Sequence, residues 1–169
     1  MSDRTDVEPS ASLSAAWRWQ VRPASPDEAP VVAAAARALL RELDATPPAP
    51  DAMEAAARTL IADRDAGEVF LADAGGAIIG MLAASWQIAI HIPGRYGLIQ
   101  DLWVHRDWRS QAVGHGLVDA LVTAARQRQV TRIEVGVPRD GWPHLEATRR
   151  FYLRNGFGTI GGRLRRELV

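Results

Sequence analysis

Apolar residues recur every three to four positions through the first third of the chain. Val32, Ala36, Leu39, Leu40 and Leu43 share one face of a predicted helix, and Met53, Ala57, Leu60 and Ile61 share one face of a second. Ser25-Pro26-Asp27-Glu28 opens the first, with a Ser cap, Pro at the first position and Glu three residues after the cap. Pro47-Pro48-Ala49-Pro50 separates the two helices, Asp51 with Glu54 starts the second, and Gly67 is its expected C-terminal cap. The period then changes to that of strands. Residues 68–73, 77–92 and 96–104 read as a three-stranded meander, turned at Ala74-Gly75-Gly76 and at Pro93-Gly94. Leu117, Leu121, Val122 and Ala125 restore a helical stripe over 117–129, and Ile133, Val135 and Val137 alternate as a strand. A short helix is expected over 144–155, stopped by Gly156, and 157–160 and 163–169 read as closing strands. With a short first strand at 19–23 the order is β-α-α-β-β-β-α-β-α-β-β. This predicts a mixed sheet of the α/β type (α+β in the broad sense), with one parallel strand–helix–strand crossover.

Composition narrows the setting. At 169 residues the expectation is one domain over 17–169, preceded by a loose polar tail over 1–16. An apolar fraction of 47% is enough to build a core. Lys+Arg and Asp+Glu are 20 each, so no net charge draws the chain to nucleic acid or to an anionic membrane. No apolar run reaches the roughly 18 residues that span a bilayer, and a cytoplasmic protein is expected. With no cysteine, disulfides, thiolate metal sites and a cysteine nucleophile are excluded. No His-Glu-x-x-His pattern exists, so no metal is expected.

The chemistry concentrates at Gln111-Ala112-Val113-Gly114-His115-Gly116, between a strand and a helix. The first amides of a helix have no intrahelical acceptor, and the dipole adds partial positive charge there, so an anion is the expected guest. A dinucleotide fingerprint is imitated by Gly114, Gly116 and Glu134, but Asp119 stands where its third small residue belongs. A phosphate loop of the Gly-Lys-Ser/Thr kind is absent.

This segment, the strand before it and Phe151-Tyr152-Leu153-Arg154-Asn155-Gly156-Phe157 together resemble the GNAT family of acyl-CoA N-acyltransferases. That family carries a Gln/Arg-x-x-Gly-x-Gly/Ala segment after its fourth strand and an aromatic-Tyr-x-x-x-Gly-Phe signature on its fourth helix. The resemblance implies the GNAT fold: a mostly antiparallel sheet of six to seven strands with about four helices, splayed at strands 4 and 5. It also implies acetyl-CoA as donor, CoA as product, an amine of a small molecule or protein as acceptor, and a homodimer. Three departures stand out. Arg109-Ser110-Gln111-Ala112 replaces the usual Arg-Gly-x-Gly, Leu145 stands where many members have an Asn, and Gln100 stands where polyamine-type members have a Glu.

The resemblance also distributes roles. Main-chain groups of Leu102, Trp103 and Val104 would meet the pantetheine arm, and one amide would bond the thioester oxygen. Gln111, Ala112, Val113, Gly114, His115 and Gly116 would hold the pyrophosphate, with Arg109, and Arg106 beside it, steering phosphate. Tyr152 matches the family's acid for the leaving thiolate. An amine is almost wholly protonated at pH 7, so a base is useful. Asp101 is the nearest acid on the strand, read either as that base or as a hydrogen-bonded structural residue; His91, His105 and His144 are weaker candidates. Asp44, Asp51, Trp86, Tyr96 and Trp142 are candidates for an aromatic and acidic acceptor wall. Other readings are a catalytically silent acyl-CoA-binding module and a transferase of longer acyl groups.

Overall fold

The computed structural model describes residues 19–161. The expected tail at 1–16 and the last expected strand at 163–169 lie outside them. Five strands run β1 (Gln20–Pro23), β2 (Gly67–Ala74), β3 (Ala77–Ala89), β4 (Ile92–Val104) and β5 (Ile133–Val135), in sheet order β1-β2-β3-β4-β5. The first four are antiparallel, and β5 joins β4 in parallel after the crossover. Four helices accompany them: α1 (Ala29–Glu42), α2 (Pro50–Ala62), α3 (Val113–Gln127) and α4 (Leu145–Arg154).

The sheet is covered on both faces, which explains the unbroken apolar runs in β2 and β3. Val69, Leu71, Met81 and Ala83 pack with Ala29, Val32, Ala35, Ala57 and Ile61 of α1 and α2. Their neighbours Phe70, Ala72, Leu82 and Ala84 point the other way, to Leu117, Val118 and Leu121 of α3 and to Tyr152 of α4. Three helices end with the same backbone device. In α4, the Phe157 N–H bonds the Tyr152 carbonyl and the Gly156 N–H bonds the Leu153 carbonyl, with Gly156 at φ 83°. The helix-end pairs at Ala45 with Asp44 and at Val130 with Gln129 repeat this pattern on α1 and α3. Asp44 (φ 54°) and Gln129 (φ 58°) thus occupy left-handed positions that glycine fills more cheaply.

Five expectations are corrected. Gly67 caps nothing: it begins β2, and a Cβ there would collide with the Ala84 carbonyl oxygen, so close strand packing is what requires glycine. The β3–β4 turn lies at Ile90–His91 rather than Pro93-Gly94. Pro93 and Gly94 instead lie within β4 without register partners, a place where a missing N–H costs no ladder bond. Helix α3 starts at Val113, four residues early, so Gly114 and Gly116 belong to its first turn. Residues 157–160 form no strand among the described residues; Gly156 turns the chain and Phe157 docks its ring on Tyr152 at 5.3 Å. The described sheet accordingly has five strands rather than six or seven.

One ionic cluster ties the start of the domain together. Arg22 donates to both Glu28 oxygens, at 2.7 and 2.8 Å, and to Asp73 at 3.1 Å. Glu28 also accepts from the Ser25 N–H and hydroxyl, the capping box legible in the sequence. The Arg22 hydrogen bonds pull the Glu28 carboxyl down to about 2. A carboxyl lowered on folding adds stability above its unfolded pKa, and that stability is lost as pH falls from about 4.5 toward 2. Glu28→Gln should therefore cost about 1–2 kcal/mol at pH 7, discounted for partial exposure, and flatten this acid decline. Urea denaturation at pH 7 and at pH 3 measures it, and equal stability of the two proteins at pH 7 would refute the assignment.

Candidate active site

The parallel pairing of β4 with β5 covers only Gly97–Ile133, Leu98–Glu134 and Ile99–Val135. Beyond Ile99, β4 runs on to Val104 with no strand on that side among the described residues. Gln100 is the extra residue of a bulge, because Ala83 pairs with Asp101 while Ala84 pairs with Ile99. Past the bulge the ladder is regular, and the His105 N–H donates to the Ile79 carbonyl at 2.8 Å. Antiparallel ladders alternate, so Asp101 and Trp103 turn their main-chain groups to β3, while Leu102 and Val104 turn theirs to the open side. Of the three strand residues expected to offer amides, Leu102 and Val104 are so placed and Trp103 is not.

The start of α3 faces this region. The Gly116 N–H makes the first helical bond, to the Ala112 carbonyl at 2.9 Å, so the amides of Val113, Gly114 and His115 precede the ladder and have no helical acceptor. Ala112 holds φ 61° and Ser110 φ 62°, left-handed conformations that cost an L-residue about 1 kcal/mol or more each. Packing crowds both glycines, Gly116 the more severely. A Cβ on Gly114 would stand 3.0 Å from the Phe151 ring, and one on Gly116 would stand 2.7 Å from the Trp19 ring. The imidazole of His115 bridges Asn155 (2.6 Å) and Asp119 (3.2 Å), joining α3 to the end of α4.

Tyr152 is buried, with its ring against Phe151 and Phe157 at 5.1 and 5.3 Å. The Tyr-x-x-x-Gly-Phe spacing is thus the spacing of the helix stop described above, and that stop fixes the tyrosine. Burial, and then the nearby Asp101 carboxylate, push the phenol well above its ordinary pKa. Burial likewise raises Asp101. The structure therefore brings Asp101 and Tyr152 within electrostatic reach of each other. Gln100 is exposed and donates to the Ser85 hydroxyl at 2.8 Å.

Other expected residues have different occupations. Arg109 donates to the Val104 carbonyl (3.0 Å) and to Glu42 (2.6 Å), so its guanidinium lies along the strand. Gln111 donates to the Asp107 carbonyl at 2.8 Å, closing its own loop, while Arg106 is exposed. His91 is exposed in the hairpin turn, His105 stacks edge-on against Trp103, and His144 stacks edge-on against Trp142. Of the acceptor-wall candidates, Trp86 is buried in the core beneath Arg128, Asp51 is exposed on α2 and Tyr96 lies on the hairpin arm. Asp44 and Trp142 do line a common cavity, of about 700 Å³, between the end of α1 and the loop after β5.

Glu42 is the residue that sequence reasoning missed. Its carboxylate accepts from the Trp103 indole (3.3 Å) and from Arg109, and its carbonyl accepts from the Trp142 indole (3.3 Å). It thereby links α1 to β4, to the loop before α3 and to the cavity wall. No periodicity marks it, since these partners lie 61, 67 and 100 residues away.

A parted strand pair, a helix start with free amides and a buried Tyr held by a Gly-Phe stop define a class of acyl-group transferase. The profile of the Acetyltransferase (GNAT) family matches residues 36–157, and the chain belongs to that family. A protein from Arthrobacter sp. FB24 assigned as an acetyltransferase is similar over 99% of this chain and 100% of its own, at 27% identity and a TM-score of 0.73. A protein from Clostridium acetobutylicum assigned as an acetyltransferase and solved with acetyl-CoA is 17% identical, with coverage of 89% and 96% and a TM-score of 0.73. A ribosomal-protein-alanine N-acetyltransferase from Brucella melitensis biovar Abortus 2308 is 18% identical, with coverage of 90% and 100% and a TM-score of 0.69. No curated protein matches the chain. Among the described residues, no helix is long and apolar enough to cross a membrane.

The packing of the α3 glycines is directly testable. Gly116→Ala should destabilise the protein by about 1–3 kcal/mol through overpacking. In a Trp19→Ala background the same change should cost much less. Additive losses in thermal denaturation would show that Trp19 is not the obstacle.

Proposed function

We propose that this acetyltransferase moves the acetyl group of acetyl-CoA to a primary amine by direct attack of the amine on the thioester. The observation that carries this reading is the parting of β4 from β5, which leaves the main-chain groups of Leu102 and Val104 without a strand neighbour among the described residues. A pantetheine arm has amides of its own and suits that edge as an added strand would. The free amides of Val113, Gly114 and His115 suit its pyrophosphate. The chain's residues therefore fit the donor, which supplies an activated acyl carbon on a thiol leaving group.

Each remaining step falls to a residue of this chain. An outward amide of β4 donates to the thioester oxygen, and that bond strengthens as negative charge collects there. Asp101, raised by burial, is a better base near neutral pH than an ordinary carboxylate and takes the proton of the incoming amine. The nitrogen forms the new C–N bond, the C–S bond breaks, and Tyr152 gives its proton to the departing sulfur. A phenol raised this far is fully protonated at pH 7, and the buried thiolate is made more basic by the same lack of water. The two residues work in sequence. Burial holds the proton on Tyr152 most strongly and the Asp101 charge adds to it, so protonating Asp101 removes the second contribution and makes the acid stronger. Return of the proton from Asp101 to the tyrosinate restores both groups.

Acetyl-CoA and CoA should each raise the melting temperature, by the equivalent of about 2.7 kcal/mol at 100 times the dissociation constant, while NAD and ATP should not. No shift with either CoA species would refute the reading. Tyr152→Phe should lower kcat at least about tenfold with little change in acetyl-CoA affinity. Unchanged turnover, followed as thiol release, would remove Tyr152 from the mechanism.

A further inference from the structure

The cavity at the end of α1 holds two opposite charges that do not neutralise each other. Asp44 and Arg139 both line it, and neither has an ion-pair partner among the described residues. The charged neighbours are already engaged: Asp140 lies 3.5 Å from Arg149, and Glu42 holds Arg109 at 2.6 Å. Leu40, Leu43, Pro138 and Trp142 supply apolar surface to the same lining, with Thr46 the other polar side chain in it. Trp142 fixes the position of this cavity relative to β4, because its indole bonds Glu42, whose carboxylate holds Trp103 and Arg109.

Asp44 is also held against its own backbone preference. It occupies the left-handed position after α1, at φ 54°, where glycine would be easier. Nothing in the helix stop needs its carboxylate, since the bonds there are main chain to main chain. A strained residue whose side chain makes no bond among the described residues, placed in a cleft, points to a ligand.

We propose that this groove takes a free amino acid with an apolar side chain as the acetyl acceptor. Arg139 binds the carboxylate, the Leu43–Trp142 wall binds the side chain, and Asp44 attracts the ammonium form before it loses its proton. The assignment rests on the acetyl-transfer reading above and adds the acceptor's chemistry to it. Guanidinium matches a carboxylate in a two-bond fork, so loss of Arg139 removes recognition of that group alone. Apart from Asp44, Thr46 and Arg139 the lining is apolar, so a long polar or polycationic acceptor gains little from it.

The test is a matched series: L-phenylalanine, its amide, and phenethylamine, with thiol release from acetyl-CoA as the readout. The expected result is a kcat/KM at least about tenfold higher for the free acid than for the amide. Arg139→Ala should bring the two to parity by raising KM for the acid about tenfold more than KM for the amide. Asp44→Gly should raise KM for all three acceptors while thermal stability stays equal or rises, because the left-handed strain is relieved. This variant separates a lost contact from a lost fold. Equal kcat/KM for acid and amide in the wild type would overturn the proposal, as would an Arg139→Ala loss shared by all three acceptors. Acetyl-CoA binding without turnover of any of the three overturns it while leaving the donor site standing. Absence of acetyl-CoA binding refutes the transferase reading itself, and the acceptor assignment with it.

Discussion

A parallel ladder of only three residue pairs governs this structure. Because β5 leaves β4 after Ile99, the sheet that is closed on both faces opens along one edge near its middle. The other parts of the site are arranged around that opening. The bulge at Gln100 sets the phase, so that Leu102 and Val104, rather than Trp103, face it. The crossover helix α3 begins beside it with amides to spare, and α4 delivers Tyr152 from the far side of the same core.

Helix ends do much of the positioning. The stop at Gly156 seats Phe157 on Tyr152, so a backbone turn and a ring contact orient the phenol together. The stop at Asp44 ends α1 where Glu42 can use its carboxylate for Trp103 and Arg109, and its carbonyl for Trp142. These are exposed, individually weak interactions. Their effect is geometric: three segments distant in the chain are referred to one residue.

Where local patterns decide structure, the sequence was legible. The stripes of α1 and α2, the Ser25–Glu28 box, the Ala74-Gly75-Gly76 turn and the Phe151–Phe157 signature all lie within a few residues of what they determine. The misreadings share one cause, which is a residue type constrained by something remote. Gly67 looks like a cap but is required by the Ala84 carbonyl on the neighbouring strand. Gly114 and Gly116 look like loop glycines but lie in the first turn of α3, crowded by Phe151 and, at closer range, by Trp19. Pro93-Gly94 looks like a turn but is an irregularity within β4. Asp101 and Tyr152 were proposed from strand position and motif, and the structure brings the two near each other, whereas Glu42 carries no local sign and became visible only once distant segments met.

An open strand edge has a consequence apart from catalysis. Unpaired N–H and C=O groups in a row are a template for any extended chain, including another copy of the protein. Two features of β4 make it a poor template. The bulge at Gln100 breaks the register at which a foreign strand would begin, and the Arg109 guanidinium covers the Val104 carbonyl at the other end. Only a short run is left between them, too short to hold a neighbouring strand firmly and bordered by a fixed charge. The same few residues that leave this edge open thus also make it a poor partner for another polypeptide strand.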